Sequence, residues 1–265
     1  MFRRAGILLT LCAVLSACAG KTPIAPDAHV PDFAKRPFEP FSRADAIAIA
    51  EREWRLFGQP VDEAPLPERG EDKPERLPGL WQRVGEYWWL GVNAGSPESS
   101  WTGKHDANGF VFPPLRDGDF AWSAAFVSYV MRIAGAGPRF PYSASHHVYI
   151  DIAARMVGGL NAGWVVRAGD PSEVPPQPGD LICAGRGKAR DLRFSDLPAG
   201  RYTAHCDIVV EDTPLGWAVI GGNVDDQVTM KHVPHDSAGR IAGPDGTSYD
   251  SRTPWMVVIE VSYDR

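Results

Sequence analysis

The stretch DGDFAWSAAFVSYVMRIAGAG, residues 117–137, is predicted to form the helix around which the fold is built. Its aromatic and aliphatic residues occupy every face, which is typical of a helix buried in the centre of a domain. Asp117 or Asp119 is predicted to cap this helix, and the glycines and proline of residues 135–138 to end it. Ser123 then lies within the first turn, where a serine is a small filler, a cap or a nucleophile.

Three further segments have helical spacing, and all of them precede the strands. They are SRADAIAIAEREWRLFG at residues 42–58, GLWQRVGEYWWLGV at residues 79–92 and SASHHVYIDIAARMVG at residues 143–158. Short β-rich runs follow at residues 179–184, 204–211, 216–223, 226–233 and 255–261. This order predicts an α+β fold with N-terminal helices packed on a C-terminal antiparallel sheet.

The first twenty residues, MFRRAGILLTLCAVLSACAG, read as a targeting segment. Arg3 and Arg4 precede a short apolar run, and residues 15–18 resemble the bacterial lipobox with Cys18 as the residue to be lipidated. We therefore expect a lipoprotein signal peptide at residues 1–17 and a tether at residues 18–40; the alternative is an ordinary secretory signal. Ala19 favours the periplasmic face of the outer membrane, so one predicted partner is the membrane, reached through the lipid anchor.

The composition of the full chain is that of a soluble globular protein. Hydrophobic residues make up 44% of the sequence and charged residues 23%, with a formal net charge of −6 at pH 7. Since no basic run is interleaved with aromatic residues, the sequence argues against a nucleic-acid partner.

Only Cys183 and Cys206 remain once the leader is removed and Cys18 is lipidated. In an oxidising compartment two remaining cysteines favour a disulfide, and two buried free thiols are the alternative. The chain has no paired C-x-x-C spacing, so no metal site is predicted.

Acyl transfer by a side-chain nucleophile requires a helix N-terminus, a histidine base and a third group that orients the imidazole. The sequence offers Ser123 at a helix start, His205 at the start of a predicted strand, and Asn223 at the end of the next one. Strand alternation places Asp207 on the same face as His205 and Cys206 on the opposite face.

Several motifs resemble CHAP and NlpC-type cell-wall amidases, which are papain-like enzymes. PGD with the apolar strand that follows (residues 178–184), H-x-D-I-V (residues 205–209) and GGN (residues 221–223) are similar to their β-half. AWSAAFVSYVMRIAG resembles their nucleophile helix, which normally reads Trp-Cys-Ala-x-Phe-Val. RVGEYWW and WSAAFVSYV are similar to an uncharacterised bacterial group of CHAP-like proteins. The resemblance covers about residues 80–262.

This resemblance implies a CHAP-like papain-fold domain at residues 79–265, preceded by an N-terminal helix and proline-rich loop at residues 41–78. It also implies a nucleophile at Ser123, a base at His205 and an orienting residue at Asn223, acting without a cofactor on amide bonds of peptidoglycan stem peptides. The chain departs from the papain-like families at the nucleophile itself, where Ser123 stands in place of the usual cysteine. An alcohol is much harder to ionise than a thiol, so the alternative is an inactive module that binds cell-wall peptides or glycan, or an envelope partner.

Other residues are weaker candidates for the same cleft. Asp207 is an alternative orienting group, and His147, from the tandem His146-His147, is a candidate cleft residue. Trp122 belongs to a group of tryptophans that are either core or a stacking surface for sugar rings. The basic insertion GRGKARDLRF, residues 185–194, is either a solvated loop or a flap that contacts carboxylates of an acidic muropeptide.

Overall fold

Helices precede strands in the computed structural model, as the sequence predicts. The structure describes residues 40–62, 73–93, 95–106, 108–159 and 163–265. The predicted signal peptide, Cys18 and the tether up to residue 39 lie outside these residues. Among the described residues, no helix is long and apolar enough to cross a membrane.

Four α-helices and six strands form the described part of the domain. The helices are α1 (Arg43–Leu56), α2 (Leu80–Gly91), α3 (Ser123–Ile133) and α4 (His146–Val157). The strands are β1 (Val166–Gly169), β2 (Leu181–Gly185), β3 (Ala204–Thr213), β4 (Gly216–Val224), β5 (Gln227–Val233) and β6 (Trp255–Val261).

The six strands form one antiparallel sheet in the order β1-β6-β2-β3-β4-β5. This confirms the α+β class. The sequence reading missed β1, a four-residue edge strand that is too short to show a clear alternation.

Helix α3 packs against β3 and β4 and is buried along most of its length, as predicted. Its start differs from the prediction, since neither Asp117 nor Asp119 caps it. Asp117 lies in a 3₁₀ segment (Pro114–Phe120) and forms ion pairs with Lys73 (3.2 Å) and Arg76 (2.8 Å). These two cations hold the carboxylate away from the helix, and α3 begins at Ser123.

Cys183 and Cys206 form a disulfide, as the sequence predicts. The two residues face each other in the β2–β3 ladder, and the next pair in the register is Ala184 with His205. Cys206 belongs to the same apolar cluster as Ile208. The covalent bond therefore clamps the strand pair one residue away from His205.

Candidate active site

Ser123 is the first residue of α3 and is half-buried. The first bond of the helical ladder runs from the Phe126 N–H to the Trp122 carbonyl (2.9 Å), so the amides of Ser123, Ala124 and Ala125 lie ahead of it. Such amides, together with the helix dipole, favour negative charge at the N-terminus. Ser123 also lines a cavity of about 270 Å³, the serine pocket, which is lined by Ala121, Ser123, Ala144, Ser145, His146, Arg186, Thr203, Ala204, His205 and Asn223.

The first residue of α4, His146, contacts the serine directly. Ser123 Oγ lies 2.6 Å from His146 Nε2, and His146 Nδ1 is hydrogen-bonded to the hydroxyl of Tyr149 one turn along the helix. Both His146 and Tyr149 are buried. Burial lowers the pKa of His146 well below its ordinary value, and the nearby His205 lowers it further. The imidazole of His146 is therefore neutral at pH 7.

A second histidine, on strand β3, lies on the wall of the same pocket. The rings of His205 and His146 are 5.5 Å apart between centroids. His205 Nε2 lies 2.8 Å from Asp207 Oδ1, and Asp207 Oδ2 lies 2.7 Å from Lys231 Nζ. The strand alternation explains the first contact, since residues two apart share a face.

The electrostatics of the buried series His205–Asp207–Lys231 determine the protonation state of His205. Burial alone would raise the pKa of Asp207, but the charge of Lys231 and the hydrogen bonds from His205 and Lys231 outweigh it and hold the pKa well below the ordinary value. Burial lowers the pKa of His205, although Asp207 opposes the shift. At pH 7 the carboxylate is ionised and the imidazole neutral. Its Nε2–H donates to Asp207, which leaves Nδ1 as the unprotonated nitrogen.

Two glycines of β4 make room for this arrangement. A Cβ at Gly221 would overlap the carboxylate of Asp207 and press on His205, and a Cβ at Gly222 would overlap the side chain of Phe126 on α3. The GGN motif therefore lets the β3 side chains and helix α3 approach β4 closely. Asn223 follows in a left-handed conformation (φ 57°) and lines the serine pocket.

The sequence was compared with models of known protein families, and one of them matches. The model of a family described as "Uncharacterized protein conserved in bacteria (DUF2272)" matches residues 75–261. The chain belongs to the DUF2272 family. No curated protein and no solved structure matches the chain.

The structure brings Ser123, His205 and Asn223 of this DUF2272 chain to one pocket. Their contacts differ from those implied by the resemblance, since the hydrogen bond to Ser123 Oγ comes from His146. The group that orients His205 is Asp207, the alternative considered from the sequence. Among the described residues, no hydrogen bond joins the side chain of Asn223 to His205, whose Nε2 is bonded to Asp207.

Two other candidate residues lie outside the serine pocket. His147 forms a hydrogen bond through Nδ1 to Ser145 Oγ (2.7 Å), and its ring lies against Tyr202. Trp122 is fully buried and donates its indole N–H to Glu75, so it presents no stacking surface for sugars. No group of three or more metal-ligating side chains is found among the described residues.

The sequence reasoning missed His146 as the partner of Ser123. The signal was the tandem His146-His147 at the start of a predicted helix. Adjacent residues on a helix point about 100° apart, so only one of the pair can face the pocket. The register of α4 selects His146.

Proposed function

We propose that this DUF2272 protein is a serine-dependent hydrolase that cleaves amide bonds of peptidoglycan stem peptides. The observation that carries the proposal is the hydrogen bond between Ser123 Oγ, at a helix N-terminus, and the buried neutral His146. His205, which is linked to Asp207 and through it to Lys231, lines the same cavity. The substrate class and the papain-like CHAP relationship rest on the sequence resemblance. The proposed location is the periplasmic face of the outer membrane, with Cys18 as the lipid anchor.

Tyr149 decides which nitrogen of His146 carries the proton. Its hydroxyl is fully buried, and among the described residues its only hydrogen-bond partner is His146 Nδ1. If Nδ1 carried the proton, the phenol hydrogen would be left unsatisfied, at a cost of about 1–3 kcal/mol. The phenol therefore donates to Nδ1, and Nε2–H donates to Ser123 Oγ.

With this tautomer, His146 and His205 have different proposed roles in the reaction. His146 donates to Ser123 Oγ and stabilises the negative charge that develops on the oxygen as it is deprotonated. His205, whose Nδ1 is unprotonated, lines the same pocket and is the proposed base that takes the serine proton. The attack then forms the Oγ–acyl bond, the amine leaves with the proton returned by His205, and water releases the acyl group by the reverse sequence. The amides of Ser123, Ala124 and Ala125, which precede the α3 ladder, are the proposed binding site for the oxyanion.

The direct test is product analysis after incubation of the purified protein with muropeptides. We expect cleavage products with the wild type, none with Ser123→Ala, and near wild-type levels with Ser100→Ala. Ser100 is the matched control, since its exposed hydroxyl donates to the carbonyl of Pro97 and it does not line the serine pocket. Cleavage that persists in Ser123→Ala would refute the assignment of the nucleophile.

The second candidate function is a catalytically inert module that binds cell-wall peptides or glycan, or an envelope partner. It is favoured by the serine that stands where the resembling enzymes have cysteine. Product formation by Ser123→Cys alone, with an inactive wild type, would support it. The anchor is tested separately, because Cys18→Ala is expected to release the full-length protein from membranes.

A further inference from the structure

A second cavity of about 250 Å³ adjoins the serine pocket and shares two of its residues, Arg186 and His205. We call it the basic pocket. Its lining also includes Arg190, Lys231, Arg252 and Thr253. Together with Arg186, the first three of these give the cavity four permanently charged cations, and the described residues that line it include no carboxylate.

The four cations are not equally compensated. Lys231 is paired with Asp207, and Arg252 is paired with Asp62 at 3.2 Å and also contacts Asp250. By contrast, the guanidinium groups of Arg186 and Arg190 form no ion pair with any described residue; Arg190 donates only to the carbonyl of Arg252 (3.3 Å). The basic pocket therefore holds uncompensated positive charge.

The fold fixes where this charge lies. Arg186 follows directly after β2, and the neighbouring pair in the ladder, Ala184 with His205, is one step from the disulfide. The backbone N–H of Arg186 donates to the Thr203 carbonyl (2.9 Å), and the Thr203 hydroxyl donates to the Arg186 carbonyl (2.7 Å). The start of the basic insertion is thus tied to the start of β3, beside both pockets.

We propose that the basic pocket binds a carboxylate of the substrate, held next to the bond that Ser123 attacks. Guanidinium groups bind carboxylates in a planar, bidentate geometry, which suits the two uncompensated arginines. A substrate that reaches from the serine pocket into the basic pocket passes Arg186, which lines both. This inference rests on the proposed function and restricts it to peptides that carry a free carboxylate near the scissile amide.

The test is binding of acetyl-L-lysyl-D-alanyl-D-alanine and of its C-terminal carboxamide, measured by calorimetry with the Ser123→Ala protein so that neither peptide is consumed. We expect the acid to bind at least about ten-fold more tightly than the amide, which is the lower end for a hydrogen bond to a charged group. Arg190→Gln, at a residue that lines the basic pocket but not the serine pocket, is expected to reduce this ratio to below about three-fold.

Lys188→Gln is the matched control, since Lys188 is an exposed cation on the same insertion and does not line the basic pocket. It is expected to preserve the ratio. Equal affinity for acid and amide, or a ratio lost equally in the Lys188 and Arg190 variants, would overturn the inference. Because the readout is binding, it is separable from the proposed reaction. Preference for the acid without any hydrolysis refutes the reaction alone, and hydrolysis without that preference refutes the carboxylate site alone.

Discussion

Replacing Lys231 with methionine removes the charge that holds Asp207 ionised. Lys231 Nζ lies 2.7 Å from Asp207 Oδ2, and the carboxylate is fully buried. Without the lysine, a buried anion would face only the neutral imidazole of His205. The protein must then either tolerate that anion or take up one proton, on Asp207 or on His205.

The cost of protonation decides between the two residues. At pH 7, protonating a carboxyl group with an ordinary pKa costs about 4 kcal/mol, whereas protonating an ordinary imidazole costs about 0.7 kcal/mol. The proton on His205 also creates an ion pair with Asp207 across the existing 2.8 Å hydrogen bond. We therefore expect Lys231→Met to make His205 an imidazolium. The free energy of unfolding at pH 7 should fall by about 1 kcal/mol, instead of the 3–5 kcal/mol typical of a broken buried pair.

Histidine NMR across a pH titration measures this directly. In the wild type, burial holds the pKa of His205 below its ordinary value; in Lys231→Met we expect it to be raised above the ordinary value. Since His205 is the proposed base, hydrolysis should fall at pH 7 and recover at higher pH. Lys188→Met, at an exposed lysine, is the control and should change neither. A neutral His205 together with a loss of about 4 kcal/mol in unfolding free energy would refute the reasoning, because Asp207 would then hold the proton.

Three further predictions concern stability. Replacing Cys183 and Cys206 with alanine should lower the free energy of unfolding in urea by about 3 kcal/mol, the loop-closure value for a sequence separation of 23 residues; a change below about 1 kcal/mol would contradict it. Gly221→Ala should cost about 1–3 kcal/mol by overpacking against the buried carboxylate, whereas Gly118→Ala, with open space around its Cβ, should have little effect on thermal unfolding. Burial raises the pKa of Glu75 from 4.5 to about 8, so the folded state retains a proton that the unfolded chain loses, and wild-type stability should fall as the pH rises from about 5 to 8. Glu75→Gln should remove the part of that slope between about pH 6 and 8, since Asp180, with a pKa raised to about 6, contributes only below it, and the variant should be more stable at pH 8 by on the order of 3 kcal/mol. Parallel curves for the two proteins would contradict this account.

The sequence predicts most of the fold because its periodicities are clear. Alternation along residues 204–211 places His205 and Asp207 together and Cys206 on the other face, and the structure shows the hydrogen bond and the disulfide that follow from this. The start of α3 was not predictable in the same way. Asp117 is a good local cap, but two cations more than forty residues earlier in the chain, Lys73 and Arg76, bind it in a 3₁₀ segment instead.

The candidate site depends even more on contacts that no local pattern encodes. Which of His146 and His147 faces the serine is set by how α4 is rotated against the rest of the fold. Whether Asn223 or Asp207 orients His205 depends on a carboxylate kept ionised by Lys231, which comes from a third strand. The residue types therefore indicate which side chains could be catalytic, but tertiary packing determines which of them contact one another.

The protonation of the site gives a physical reason for serine at position 123. A cysteine nucleophile of the papain type works as a thiolate paired with an imidazolium, so its site must favour a charged histidine. Here burial lowers the pKa of both His146 and His205, so the site disfavours that charge. An alcohol needs the opposite condition, since it is deprotonated during attack by a histidine that starts out neutral. Two neutral imidazoles, one donating to Oγ and one with a free Nδ1, are therefore better matched to an alcohol than to a thiolate. The proposed hydrolase therefore predicts an active wild type, with Ser123→Cys no better.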